Sequence, residues 1–132
     1  MPVSMSPEDV RRRLRVAELY CGIGGCGVAL RSLATVVAGV DINREALEVY
    51  RWNLPHPTAV ATLEGLAAEI LSEWRADLWW MSPPCQPFTR RGLQQDARDS
   101  RTRSFLALLD HFRGVQPRYL AIENVPGFRG SI

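Results

Sequence analysis

Lysine is absent from this chain: all 16 of its basic residues are arginine, set against 14 acidic ones. Arginine presents a planar fork suited to phosphate oxygens and base edges, where lysine would be a flexible point charge. A genome rich in arginine codons would give the same bias, so the absence of lysine names no partner by itself. Long apolar runs are also absent, and no stretch approaches the roughly 18 residues that a membrane-spanning helix requires. No basic segment followed by a long apolar one opens the chain, because Arg11-Arg12-Arg13 precedes only a strand-length apolar stretch. That pattern is not a secretory signal, and the expected location is the cytoplasm. Cysteine and histidine are scarce, at 3 and 2 residues. An odd cysteine count without an export signal argues against a disulfide framework. No Cys-x-x-Cys pair occurs, and His56 and His111 are far in sequence from Cys21, Cys26 and Cys85, so no metal site is expected.

What is present is an ordinary globular composition, 46% hydrophobic over 132 residues, enough for one domain with a real core. Residues 1–14 read as a polar N-terminal extension. Within it, Ser6-Pro7-Glu8-Asp9 suits a helix N-cap with proline at the first helical position, giving a short helix that ends near Arg13. Strands and helices then alternate. Strands are predicted over 15–20, 36–40, 58–61, 77–81 and 118–122, and helices over 27–34, 45–53, 66–74 and 103–113. Two prolines in Leu54-Pro55-His56-Pro57 close the second of these helices. Phe105, Leu106, Leu108, Leu109 and Phe112 would form the buried side of the last one, and the polar, arginine-bearing stretch 89–101 reads as a loop. The alternation implies an α/β fold, a mainly parallel sheet with helices on both faces. Every polar cluster of interest falls at the carboxyl end of a strand, which in open α/β sheets is the edge where ligands bind.

Three constellations carry chemistry. The first is Glu18-Leu19-Tyr20-Cys21-Gly22-Ile23-Gly24-Gly25-Cys26-Gly27, with Asp41 about twenty residues on at the end of the next strand. Glycines there permit a tight turn and a close approach to a ligand, and the carboxylate suits ribose hydroxyls. The Gly-x-Gly-Gly spacing leans away from a dinucleotide and towards an adenosyl ligand, although the segment alone also fits a plain turn between core elements. The second is Pro83-Pro84-Cys85-Gln86-Pro87-Phe88. Prolines keep Cys85 out of a helix and favour a thiol presented at a strand end; isolated buried cysteines are otherwise small hydrophobes. A nucleophilic thiolate needs nearby positive charge, and Arg90 and Arg91 are close in sequence. The third is Glu123-Asn124-Val125-Pro126-Gly127-Phe128, a carboxyl group at a strand end that suits either a general acid in a partly desolvated pocket or a turn cap.

In this order and spacing the stretches resemble the cytosine-C5 methyltransferase family, over residues 16–130. The resemblance implies a Rossmann-like, S-adenosylmethionine-dependent methyltransferase fold, with S-adenosyl-L-methionine as cofactor. It makes Cys85 the nucleophile that adds to carbon 6 of cytosine and Glu123 the catalytic glutamate. It sets Tyr20, Gly22, Gly24 and Gly25 around the methionine portion, Asp41 at the ribose, Ile42 against adenine and Pro84 at the cofactor. Leu63-Glu64 falls at a further adenine-contacting motif, and Gln86, Arg90 and Asn124 fall on the substrate side. The implied partner is nucleic acid, with the target base flipped out of its stack. DNA is the family default. The runs Pro84 to Arg90, Asp99 to Phe105, Glu48 to His56 and Glu123 to Phe128 also look like the branch that methylates transfer RNA, which shares the same chemistry.

Family members continue beyond the glutamate motif with an arginine-rich motif, a target-recognition region and a segment that closes the cofactor pocket. Residues 15–132 therefore resemble the N-terminal part of the catalytic domain, with the fold incomplete at its C-terminus. The resemblance leaves three readings: a subunit of a split methyltransferase completed by a second polypeptide, a truncated fragment inactive alone, or a cofactor-binding module. Having both Cys85 and Glu123 counts against the last.

Overall fold

The computed structural model describes residues 12–84, 106–107, 109–111 and 113–124, with Glu64 through its backbone only. The helix expected before Arg13, the loop at 89–101, and the side chains of Phe105, Leu108 and Phe112 lie outside the described residues, as do Cys85, Gln86 and Arg90. A five-stranded sheet, ordered β3-β2-β1-β4-β5, organises the rest. Its strands are β1 (Leu14–Leu19), β2 (Ala34–Asp41), β3 (Thr58–Val60), β4 (Leu78–Met81) and β5 (Tyr119–Ile122), and every pairing is parallel. Between them run α1 (Gly25–Leu30), α2 (Arg44–Asn53), a 3-10 turn at Leu63–Gly65 and α3 (Ala68–Glu73). Residues 106–107, 109–111 and 113–114 are helical, running one residue past the end of the helix expected over 103–113. No helix among the described residues is long and apolar enough to cross a membrane.

Alternation along β1 sorts the two faces. Ala17 and Leu19 enter one core cluster with Val40, Leu63, Leu66, Leu71, Trp79 and Met81, against which Leu109 and Val115 also pack. Glu18, between them, turns the other way, towards α1 and α2. On that second face Leu47, Tyr50 and Leu54, spaced one helical turn apart, pack with Cys21. Helices thus cover both faces, as the alternation predicts.

Local chemistry sets the boundaries. Asn43 caps α2 by accepting from the Ala46 amide, and the helix ends at Leu54, directly before Pro55. Thr62 caps the 3-10 turn through its hydroxyl, which accepts from the Gly65 amide. The largest departure from expectation is α1, which spans Gly25–Leu30 rather than 27–34. Ala34 and Thr35 belong instead to β2, paired with Leu14 and Arg15, so β2 begins earlier than its apolar run indicates. The β-branched run Thr35-Val36-Val37 favours that exchange. Leu106, expected on a buried side, is 36% exposed.

Tyr50 is fully buried, and its ring fixes the size of its neighbours. A Cβ on Gly39 would stand 2.9 Å from Tyr50 Cζ and 3.0 Å from its hydroxyl oxygen, with backbone on one side and a locked ring on the other. Gly39→Ala is therefore expected to destabilise the protein by about 1–3 kcal/mol through overpacking. A urea-unfolding midpoint unchanged from wild type would contradict this packing.

Candidate functional site

The strand order reverses between β1 and β4: the chain moves outward from β1 through β2 and β3, then returns to β1's other side. In open α/β sheets the carboxyl edge at that reversal opens a crevice for ligands. Here that reversal is flanked by the glycine turn that follows β1 and by Ser82-Pro83-Pro84, which follows β4.

Hydrogen bonds stitch the rim together strand by strand. The Cys21 amide donates to Val40 O at 3.0 Å, and the Gly22 amide donates to Asp41 Oδ2 at 2.8 Å, joining β1's turn to the end of β2. The other carboxylate oxygen, Oδ1, accepts from the Asn43 amide at 2.9 Å. Each oxygen keeps a further lone pair, and Asp41 is only half-buried, so it can still accept from hydroxyl groups. Across the reversal, the Ser82 amide donates to Leu19 O at 3.4 Å. Between β4 and β5 the Glu123 amide donates to Met81 O at 2.9 Å, and Asn124 Nδ2 donates to Pro83 O at 2.9 Å.

The turn itself needs unusual backbone. Tyr20 has φ 58°, Gly22 52° and Gly24 95°, a left-handed series that costs least at glycine. A Cβ at Gly22 or Gly25 would meet nothing within 4 Å, so both glycines border open space. At Gly24 a Cβ would fall 2.5 Å from Leu54 Cδ1 and 2.7 Å from Tyr50 Cδ2, which holds that glycine against the core. Ile42, beside Asp41, is 66% exposed, an apolar surface at the rim. Open glycine backbone, a half-buried carboxylate and an exposed aliphatic side chain fit the donor and contact needs of an adenosyl ligand.

Of the residues predicted from sequence, Tyr20, Gly22, Gly24, Gly25, Asp41, Ile42, Pro84, Glu123 and Asn124 all lie at this carboxyl edge. Leu63 does not present its side chain there. It is 3% exposed and packs in the core with Leu66 and Leu71, in keeping with its place in a 3-10 turn folded onto the sheet. Glu123 stands exposed among the described residues. Asn124 donates to Pro83 O, a contact not foreseen from sequence. Among the described residues no group of His, Cys, Asp and Glu could hold a metal ion.

Sequence reasoning missed a buried polar set behind the turn. Glu18 is 2% exposed, and its Oε2 accepts from the Gly27 amide at 3.1 Å and from the Tyr50 hydroxyl at 3.4 Å. Tyr50's hydroxyl lies 3.0 Å from His56 Nδ1. Gly24, the N-cap of α1, has no side chain to satisfy the helix's first amides, and Glu18 reaches over from β1 to do so. The available signal was a lone carboxylate inside the apolar strand Val16-Ala17-Glu18-Leu19. Burial pushes Glu18 up from 4.5 to about 7, against the pull of its Gly27 and Tyr50 hydrogen bonds. Burial, and then the charge of Glu18, push the thiols of Cys21 and Cys26 up to about 12, so both remain protonated near neutrality.

The chain matches the model of the family described as C-5 cytosine-specific DNA methylase over residues 14–131. A human tRNA (cytosine(38)-C(5))-methyltransferase is 50% identical over 124 residues, covering 89% of this chain and 32% of that protein. A DNA (cytosine-5)-methyltransferase of Dictyostelium discoideum is 42% identical over 121 residues, covering 88% of this chain and 32% of the relative. Among solved structures, S. pombe Dnmt2 methyltransferase superposes with a TM-score of 0.75 at 39% identity, over 91% of this chain and 37% of that one. The chain thus spans about a third of the length of the curated relatives it matches.

The raised pKa of Glu18 has a signed consequence. Between about 4.5 and 7 the folded chain holds a proton that the unfolded chain has released. The stability contribution of protonated Glu18 is complete below about 4.5 and is lost as pH rises through about 7. Glu18→Gln removes this loss, so the variant should gain on wild type by on the order of 3 kcal/mol from the acid to the alkaline side of that window. Unfolding free energies of both proteins that run parallel across the window would contradict the assignment.

Proposed function

The chain belongs to the C-5 cytosine-specific DNA methylase family, and on that premise we propose that it is the nucleophile- and cofactor-bearing portion of a cytosine-C5 methyltransferase acting on transfer RNA. The observation that carries the reading is the stitching of the rim: Pro83, two residues before Cys85, is hydrogen-bonded to Asn124, next to Glu123. A nucleophile and a carboxyl group that must act on one pyrimidine ring have to start from neighbouring stretches of backbone.

Carbon 5 of cytosine is a weak nucleophile. Attack of the Cys85 thiolate on carbon 6 forms a C–S bond and turns the ring into an enamine whose electron density lies on carbon 5. The carboxyl of Glu123 holds or protonates N3, offsetting the charge that develops during addition. S-adenosylmethionine, when bound, supplies the electrophilic methyl group. Loss of the carbon-5 proton then restores the double bond and expels the cysteine. Cys21 and Cys26 are poor candidates for the nucleophile, because their thiols stay protonated beside the Glu18 carboxylate. The backbone of Gly22, Gly24 and Gly25 with Tyr20 would receive the methionine portion of the cofactor, Asp41 the ribose, Ile42 the adenine, and Pro84 would touch the cofactor. Glu64, Gln86 and Arg90 complete the assignment on the resemblance alone.

Transfer RNA is favoured over DNA as substrate because relatives from human, cattle, mouse, rat and fission yeast carry names that specify transfer RNA, at 42–50% identity. DNA is the second reading, supported by the Dictyostelium relative and by the family's description. Since the chain spans about a third of these relatives, target recognition would come from a further portion, in the same polypeptide or a second one.

Two outcomes are expected. Labelled methyl should pass to transfer RNA in preference to duplex DNA when the C-terminal portion of a tRNA-methylating relative is supplied in trans, with little transfer by the 132-residue chain alone. Preference for DNA would reverse the substrate reading. Cys85→Ala in the completed enzyme should lose transfer by at least ~1,000-fold while still binding S-adenosylhomocysteine. Residual turnover near the wild-type level would remove Cys85 from the mechanism.

A further inference from the structure

The proposed chemistry uses neither Glu18 nor Tyr50 nor His56, yet these residues lie directly behind the turn that the chemistry needs. We infer that they form a positioning triad: a hydrogen-bonded chain from a partly exposed imidazole to a buried carboxyl group, which sets how firmly the glycine turn holds its nucleoside ligand. The inference rests on the reading of the turn as the cofactor cradle.

The chain of contacts is continuous. His56 Nδ1 lies 3.0 Å from the Tyr50 hydroxyl, that hydroxyl lies 3.4 Å from Glu18 Oε2, and the same oxygen receives the Gly27 amide at 3.1 Å. With Glu18 ionised, His56 donates to Tyr50 and Tyr50 donates to the carboxylate. With Glu18 protonated, the sequence of donors can reverse and end on the imidazole nitrogen. Solvent at His56, which is half-buried, therefore communicates with a carboxyl group that is itself sealed from water.

Steric contacts bind the same residues to the turn. A Cβ on Gly24 would lie 2.7 Å from Tyr50, and one on Gly27 would lie 3.0 Å from Glu18 Oε2. Both glycines are sized to the triad, so a shift in Tyr50 or Glu18 moves the turn. Gly22 and Gly25, which border open space, stand on that support.

The titratable groups around Glu18 can be named element by element. The turn and α1 present the Cys21 and Cys26 thiols, the end of β2 presents Asp41 to Cys21, α2 presents the Tyr50 hydroxyl, and the loop after α2 presents His56 through Tyr50. None is a cation near neutrality, and among the described residues no arginine pairs with Glu18. The carboxylate's negative charge is met by hydrogen bonds alone. Those bonds strengthen when Glu18 ionises, since a charged acceptor binds an amide more tightly than a neutral one. The turn is accordingly firmer on the alkaline side of Glu18's titration.

Two measurements test the triad, and the first needs no ligand. In 15N-labelled protein the amide shifts of Gly24, Gly25 and Gly27 should titrate together with one midpoint near neutrality. That titration should vanish in Glu18→Gln, and its midpoint should rise in Tyr50→Phe, which keeps the ring and removes one hydrogen bond to the ionised carboxylate. Independent titrations, or the same curve in Glu18→Gln, would overturn the inference. The second is calorimetric titration with S-adenosylhomocysteine across the same pH range. Wild type should bind about five-fold more weakly on the acid side, and Glu18→Gln should show no such dependence. Equal pH dependence in both proteins would overturn the positioning role. Absence of binding by wild type, with the amide titration intact, would instead count against the cofactor reading and leave the triad standing on the first measurement.

Discussion

Strand β1 is paired in parallel on both sides, with β2 through Leu14–Leu19 and with β4 through Val16–Leu19. Parallel pairing fixes direction as well as neighbour, so the carboxyl ends of all three strands must finish on one edge. Short crossovers then deliver a glycine turn, an aspartate and a proline pair to that edge without any of them needing to find the others. The Gly22–Asp41 and Leu19–Ser82 hydrogen bonds come after this alignment and depend on it. A change that displaced β1 by one residue would turn Glu18 onto the aliphatic face and Leu19 towards α1, and the rim would lose both its anchor and its order.

Two carboxyl groups within that architecture show how placement decides role. Asp41 ends β2, half in solvent, and spends its charge on two backbone amides of the rim. Glu18 sits inside β1, sealed from water, and meets a helix that lacks a capping side chain. Burial without a cation partner is costly for a charge, which is why Glu18 holds its proton to higher pH. The same burial keeps water away from the back of the glycine turn and leaves its front open.

Much of this was legible in the sequence, and the limits have physical causes. Strand ends were readable because Gly22, Asp41, Pro83 and Glu123 break apolar runs with residue types that cannot continue them inside a core. Helix α1 was not, because Arg31-Ser32-Leu33 carries no strong stop signal and Ala34 suits a helix as well as a strand; pairing with Leu14 decided the matter. The burial of Leu63 was not legible either, because nothing in its own stretch announces the 3-10 turn, capped by Thr62, that folds its side chain into the core. The triad was hidden for a different reason. Glu18, Tyr50 and His56 are separated by 32 and 6 residues, and only the packing of α2 across β1 makes them neighbours.

Among the described residues β5 is held from one side, by β4, and Tyr119, Leu120 and Ile122 are each more than a third exposed. Central strand β1 carries the glycine turn, while Glu123 follows a strand that is, among the described residues, at the sheet's edge. β5 should therefore open more readily than β1, with faster amide exchange. On warming, such a chain would lose the order around Glu123 before that of the glycine turn. Order at the glycine turn and order at the Glu123 edge are then separate thermal properties of one small sheet, and a melting curve read at the turn alone would overstate how long the far edge survives.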